Sequence, residues 1–177
     1  MPEPNLTYNV GVVGGGTPAS IDADGFRVTA SGKTNIVAEQ AVARGDIRTL
    51  SADQEARVRA AMQAIVARHL PQTGAVLVFA EDGYPPMAPT EGNRAILTRL
   101  NAVNRDLGLP EMPEYDPARR GAADSSFVAG DADTLAGLGA AGGNSHAPGE
   151  WVDLDSLTRQ ARRAAILMTR LSREARE

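Results

Sequence analysis

The chain reads as a mixed α/β protein, and two observations predict that class. Extended stretches rich in β-branched residues alternate with stretches of helical period. The helical stretches carry capping or stop residues at their ends. Aromatic residues make up only 4% of the 177 residues, so any core is built mainly from Ala, Val, Leu and Ile.

In chain order, Leu6 to Val13 reads as a strand bounded by the run Gly14-Gly15-Gly16. Residues 17 to 33 read as a hairpin-like excursion with little core. Asn35 to Thr49 is extended, with β-branched Ile36, Val37, Val42 and Ile47. Ser51 opens a helix, with Gln54 completing a capping box. Val58, Met62, Ile65, Val66 and His69 recur at helical spacing up to a stop at Pro71. Ala75 to Phe79 is expected to be a short apolar strand, which completes a small antiparallel α+β unit.

The loop around Tyr84-Pro85-Pro86 marks a boundary, giving expected domains 1–84 and 85–177. Thr90 caps a second helix carrying Ile96, Leu97, Leu100, Val103 and Leu107, stopped by Gly108 and Pro110. A glycine turn within RRGAADSSFVA leads to a short helix. Thr134 to Gly139 is expected to be a buried strand. The last helix, Asp155 to Leu171, is expected to bury Leu157, Ala161, Ala164, Ala165, Met168 and Leu171 on one face.

Bulk properties exclude several functions. A chain of this size can bury about 70% of its unfolded surface. Net charge is −4, with 18 basic against 22 acidic residues, so no nucleic-acid partner is indicated. The absence of cysteine rules out disulfides, thiolate metal sites and cysteine nucleophiles. No apolar run has the length of a membrane span, and the first residues show no signal peptide; the compartment stays open.

Few residues stand out chemically. His146, in a glycine-rich turn, reads either as a locally hydrogen-bonded turn histidine or as a metal ligand or general base. His69 reads as a partner for a helix C-terminus. Asp124 reads as a helix cap. Arg119 and Arg120 could grip a carboxylate or be plain surface. Asn35 and Arg48 lie thirteen residues apart, so a straight strand would put them on opposite faces. Joint action requires a bulge, for which Gly45 is a plausible site. Gly14 to Gly16 match no phosphate loop, and Ser145-His146 has no nucleophile elbow.

Five stretches in order, LTYNVGVVGGGT, GKTNIVAEQAVARGDIRT, DGYPPMAPTEGNRAIL, RRGAADSSFVA and LAGLGAAGGNSHAPGEWVDLDSL, resemble the zinc-dependent aminoacylase and carboxypeptidase family, metallopeptidase family 20. The resemblance implies the later part of a ferredoxin-like α+β lid, which usually mediates homodimerisation. The C-terminal part of an αβα catalytic domain binding two zinc ions would follow it. It implies hydrolysis of a small peptide or N-acyl amino acid next to a free carboxylate. His146 matches the family's last zinc ligand. Asn35 and Arg48 match lid residues that reach the substrate carboxylate, often across the dimer. Gly121 and Asp124 match a glycine turn beside the substrate pocket, with Arg119 and Arg120 as lesser candidates. Ala38 stands where the family often has Pro, and the glycine turn lacks the family's usual small hydroxyl residue. The family's other zinc ligands and its general base would precede residue 1. A catalytic zinc takes three protein ligands and a water, so the chain alone is expected to be inactive, completed by a separate N-terminal half. The alternative is a non-catalytic dimerisation module.

Overall fold

Thr7, Val10, Val12 and Val13 supply the β-branched residues of the first element, and the glycines do not end it. In the computed structural model, which describes residues 3–80 and 83–174, strand β1 runs Thr7–Gly16, straight through the glycine run. It is followed by β2 (Ala19–Ile21), β3 (Val28–Ala30), β4 (Gln40–Arg48), α1 (Ala52–Val66), α2 (Glu91–Asp106), β5 (Gly142–Gly143), β6 (Trp151–Val152) and α3 (Leu154–Leu171). All three sheets have two antiparallel strands, β1 with β4, β2 with β3 and β5 with β6. The fold is therefore mixed α+β, with small antiparallel sheets and three helices. The chain divides into two compact units, Met1–Phe79 and Ala80–Glu177.

In the first unit, β1 pairs with β4 from Thr7↔Arg48 to Gly16↔Gln40, with a register shift between Val10 and Val12. Gly11 is the extra residue, opposite the Gly45–Arg44 step. The bulge expected at Gly45 on β4 is thus carried by β1. Gly45 is still required, because a Cβ there would collide with the Asn9 carbonyl oxygen across the ladder. The inserted residue shifts the alternation by one, so Tyr8, Val10 and Val13 share one face with Ala41, Ala43 and Ile47. Arg44, Asp46 and Arg48 take the other. The apolar face is bare: Tyr8 and Val13 are 69% and 71% exposed.

The excursion after β1 is the predicted hairpin, closed by Asp22 accepting from the Phe26 and Arg27 amides at 2.9 and 3.2 Å. The expected extended stretch from Asn35 starts late, since residues 34–35 form a turn and β4 begins at Gln40. Ser51 caps α1 as predicted, its hydroxyl accepting from Gln54 N at 3.2 Å. The reciprocal bond goes to Leu50 N at 2.8 Å, one residue earlier than a capping box requires. Buried Gln54 also donates to the Pro4 carbonyl at 3.0 Å, tying the start of the chain to α1. His69 lies beyond the helix.

Ala75–Phe79 is not a strand. Val76 is 89% exposed, and an apolar run needs a partner edge before it can pair.

In the second unit, Thr90 caps α2, accepting from Asn93 N at 3.0 Å. Leu100 and Val103 of α2 meet Leu167 of α3 in a small core, with Leu97, Leu107, Leu135, Leu138 and Leu171 packed around it. The expected strand Thr134–Gly139 is a coil whose two leucines close that core. The face of α3 turned inward carries Ser156, Arg163 and Leu167, and of the predicted face Leu171 packs against the core. Leu157 and Met168 are exposed. Asn101 fixes the loop after α2 by pairing its amide with the Met112 backbone, at 2.8 Å to N and 2.9 Å to O.

Folded, the chain leaves 13312 Å² exposed. An 18.5 kDa chain exposes about 27,000 Å² unfolded, so about half is buried, against the 70% that its size allows. No helix of the described residues is long and apolar enough to cross a membrane.

Candidate functional site

Short backbone bonds and one buried serine build the loop that carries His146. β5 and β6 pair Gly142 with Val152 and Gly143 with Trp151. Asp153 N donates to Ala141 O at 2.8 Å, and the fully buried Ser156 hydroxyl accepts from Ala141 N at 2.8 Å. The base of the loop is therefore pinned to the start of α3. Its tip is a tight turn, with Ala147 N bonded to Asn144 O at 3.0 Å. His146 sits there at φ 62°, in the left-handed region that non-glycine residues seldom occupy. Its ring is exposed.

The glycine turn lies between two one-turn 3₁₀ helices, Pro117–Arg119 and Asp124–Phe127. Asp124 does not cap the second, whose N-cap is Ala123 with no side-chain bond. Instead its Oδ1 accepts from the Tyr84 hydroxyl at 2.9 Å. The Tyr84 ring leans on Phe127, with centroids 5.1 Å apart. The Asp124 carboxylate, by accepting that hydrogen bond and by its charge, pushes the Tyr84 phenol above its ordinary pKa. Arg119 lies over the Tyr115 ring, 5.7 Å from its centroid. Arg120 is half-buried and donates to Pro117 O at 2.7 Å. Gly121 has open space where a side chain would project.

Asn35 is exposed in the turn before β4, while Arg48 ends that strand. Strand β4, nine residues ending in Arg48 and about 26 Å from end to end, runs away from the turn, so the two do not sit side by side. Arg48 is ion-paired with Asp46 at 3.3 Å, with both side chains more than half exposed. Such a pair contributes about 0–1 kcal/mol and gives way readily to a better anion.

The family resemblance implies zinc, and the donor set tests it. Among the described residues no three His, Cys, Asp or Glu side chains group as metal ligands. The described residues therefore do not by themselves fit a catalytic zinc, which takes three protein ligands.

Two residues with notable environments escaped the sequence reading. In the sequence Tyr84 marks only a boundary, and nothing in its spacing announces a bond to Asp124 forty residues on. Arg163 is buried on α3, where polar neighbours along its stripe hid the inward face.

Compared with known proteins, residues 3–170 match the sequence profile described as Peptidase family M20/M25/M40. No curated protein and no solved structure gives a significant match. A family match over nearly the whole chain leads to one conclusion: this chain belongs to the M20/M25/M40 peptidase family.

Proposed function

We propose that the chain is one part of a metal-dependent hydrolase that cleaves a peptide or N-acyl amino acid next to a free carboxylate, and that it is inactive alone. The family match over residues 3–170 carries this reading. On it, the first unit is the later part of a lid, and the second is the C-terminal part of a zinc-binding catalytic domain. His146 is one metal donor among several, the rest coming from other polypeptide. Asn35 and Arg48 bind the substrate carboxylate, and their separation along β4 favours supply from two lids over one. Gly121 and Asp124 border the substrate, with Arg119 and Arg120 behind them.

Two physical observations support a need for further polypeptide. The chain buries only about half of its unfolded surface. A two-stranded ribbon with one bare apolar face is marginal alone, and pairing of two lids would cover it.

The test assays the chain with added zinc on N-acyl amino acids, alone and co-expressed with a polypeptide carrying the family's earlier ligands. The expected result is no hydrolysis alone and hydrolysis on co-expression. His146→Ala should then lower metal content and activity together. Turnover by the chain alone overturns the proposal, as does a His146→Ala complex with unchanged zinc and rate. Dimerisation with neither zinc nor turnover supports the alternative, a binding module derived from the family.

A further inference from the structure

Arg163 is the most anomalous side chain in the second unit. It is 6% exposed, yet it has no carboxylate partner among the described residues. Nη1 donates to Asn104 Oδ1 and to the Met112 sulfur, both at 3.1 Å, and Nη2 to Gln160 Oε1. All three acceptors are neutral, and Nε–H has no acceptor among the described residues. A guanidinium keeps its charge at any ordinary pH. An unpaired buried cation is among the costlier things a fold can hold. Burial, and then the nearby charge of Arg159, push its pKa down.

The residue lines a cleft of about 260 Å³ between α3 and the loop after α2. Leu109, Pro110, Met112 and Pro113 form its apolar side, while Arg159 and Gln160 lie on the helix side. The charged neighbours in the lining are already paired with other residues. Glu111, also in the lining, is bonded to Arg105, and Asp153 is bonded to Arg159 at 3.1 Å. The Asn101–Met112 clamp holds the loop side of the cleft in place.

Nε–H and one Nη2–H form the side-on edge of a guanidinium, the edge that a carboxylate grips with two parallel bonds. We propose that this cleft binds a small organic carboxylate, held side-on by Arg163 Nε and Nη2 after the Gln160 amide swings out. The half-buried Gln160 side chain occupies the edge as a neutral stand-in. The anion brings the charge that the stand-in lacks, and the prolines, Leu109 and Met112 take its apolar body. This site is independent of His146 and of any metal.

An NMR titration of the whole chain with sodium benzoate tests it, at ionic strength held constant with chloride. One saturable site of about millimolar Kd is expected for so small a ligand, with shifts centred on Arg163 and residues 109–113. Arg163→Gln should weaken binding about tenfold or more, since the charge-assisted pair is lost. Gln160→Ala keeps every Arg163 donor and clears the edge, so it should tighten binding severalfold, which keeps the test decisive should Arg163→Gln misfold. Benzamide, with the same shape and no charge, should not saturate. Binding that survives Arg163→Gln in a folded chain, or the absence of any saturable site up to about 50 mM, well above the expected Kd, overturns the proposal. Equally tight binding of inorganic phosphate would overturn the organic carboxylate as ligand.

Discussion

The helix pair α2–α3 and the ribbon β1–β4 each separate apolar from polar residues by the period of their backbone, with opposite outcomes. On α2 the stripe is met: Leu100 and Val103 are almost wholly buried against Leu167 of α3, with leucines from the connecting loop closing the edges. In the ribbon Tyr8, Val10 and Val13 also share one face, yet they remain mostly exposed. Patterning fixes which face is apolar. Whether that face is buried depends on another element being there to receive it.

The largest expected effect breaks the helical side of this contrast. Leu100→Ala should destabilise the second unit by about 2–5 kcal/mol, the range for a leucine in a closed core, read from urea unfolding followed by helical circular dichroism. Val13→Thr on the bare face should change stability by less than about 0.5 kcal/mol in the same assay. If the two substitutions prove equally costly, the ribbon face is covered in solution and the contrast fails.

A smaller effect sharpens the ribbon side. Gly45→Ala puts a methyl group into the Asn9 carbonyl oxygen, so β1 or β4 must move. A loss of about 1–3 kcal/mol is expected, confined to faster amide exchange in β1 and β4 while α2 and α3 keep their protection. Unchanged exchange in β1 and β4 would mean that the bulge register is not held in solution.

The smallest effect concerns the Tyr84–Asp124 bond. Because the phenol's pKa is raised, the bonded form is the protonated one. Its contribution is complete below the ordinary tyrosine range and is lost as pH rises through the raised value. Alkaline titration by phenolate absorbance should show Tyr84 ionising above an ordinary tyrosine, and Asp124→Asn should bring it back down. A Tyr84 titration unmoved by Asp124→Asn would dissolve the link.

Where a signal is local, the sequence sufficed. Ser51 and Thr90 cap the helices assigned to them, because a cap needs only residues three apart. Signals that depend on distant partners failed. Ala75–Phe79 and Thr134–Gly139 are apolar runs of strand length, but neither has an edge to pair with; one lies exposed and the other lends two leucines to the helices. On α3 two stripes satisfy the helical period, and the less apolar one turns inward because Arg163 and Ser156 bond to Asn104 and Ala141. The candidate site divides the same way. Resemblance singled out His146, Asn35, Arg48 and the glycine turn, while the Tyr84 bond and the unpaired Arg163 became visible only in three dimensions.

Gly11 makes the ribbon forgiving of one particular edit. Were it deleted, Val12 would follow Val10 directly, the two-against-one step opposite Gly45 and Arg44 would close into plain pairing, and every neighbour would keep the side it has now. Losing Gly11 and Val12 together is the harmful change: with the start of the ladder held, Val13 would land opposite Arg44 and the oily surface would be cut in two.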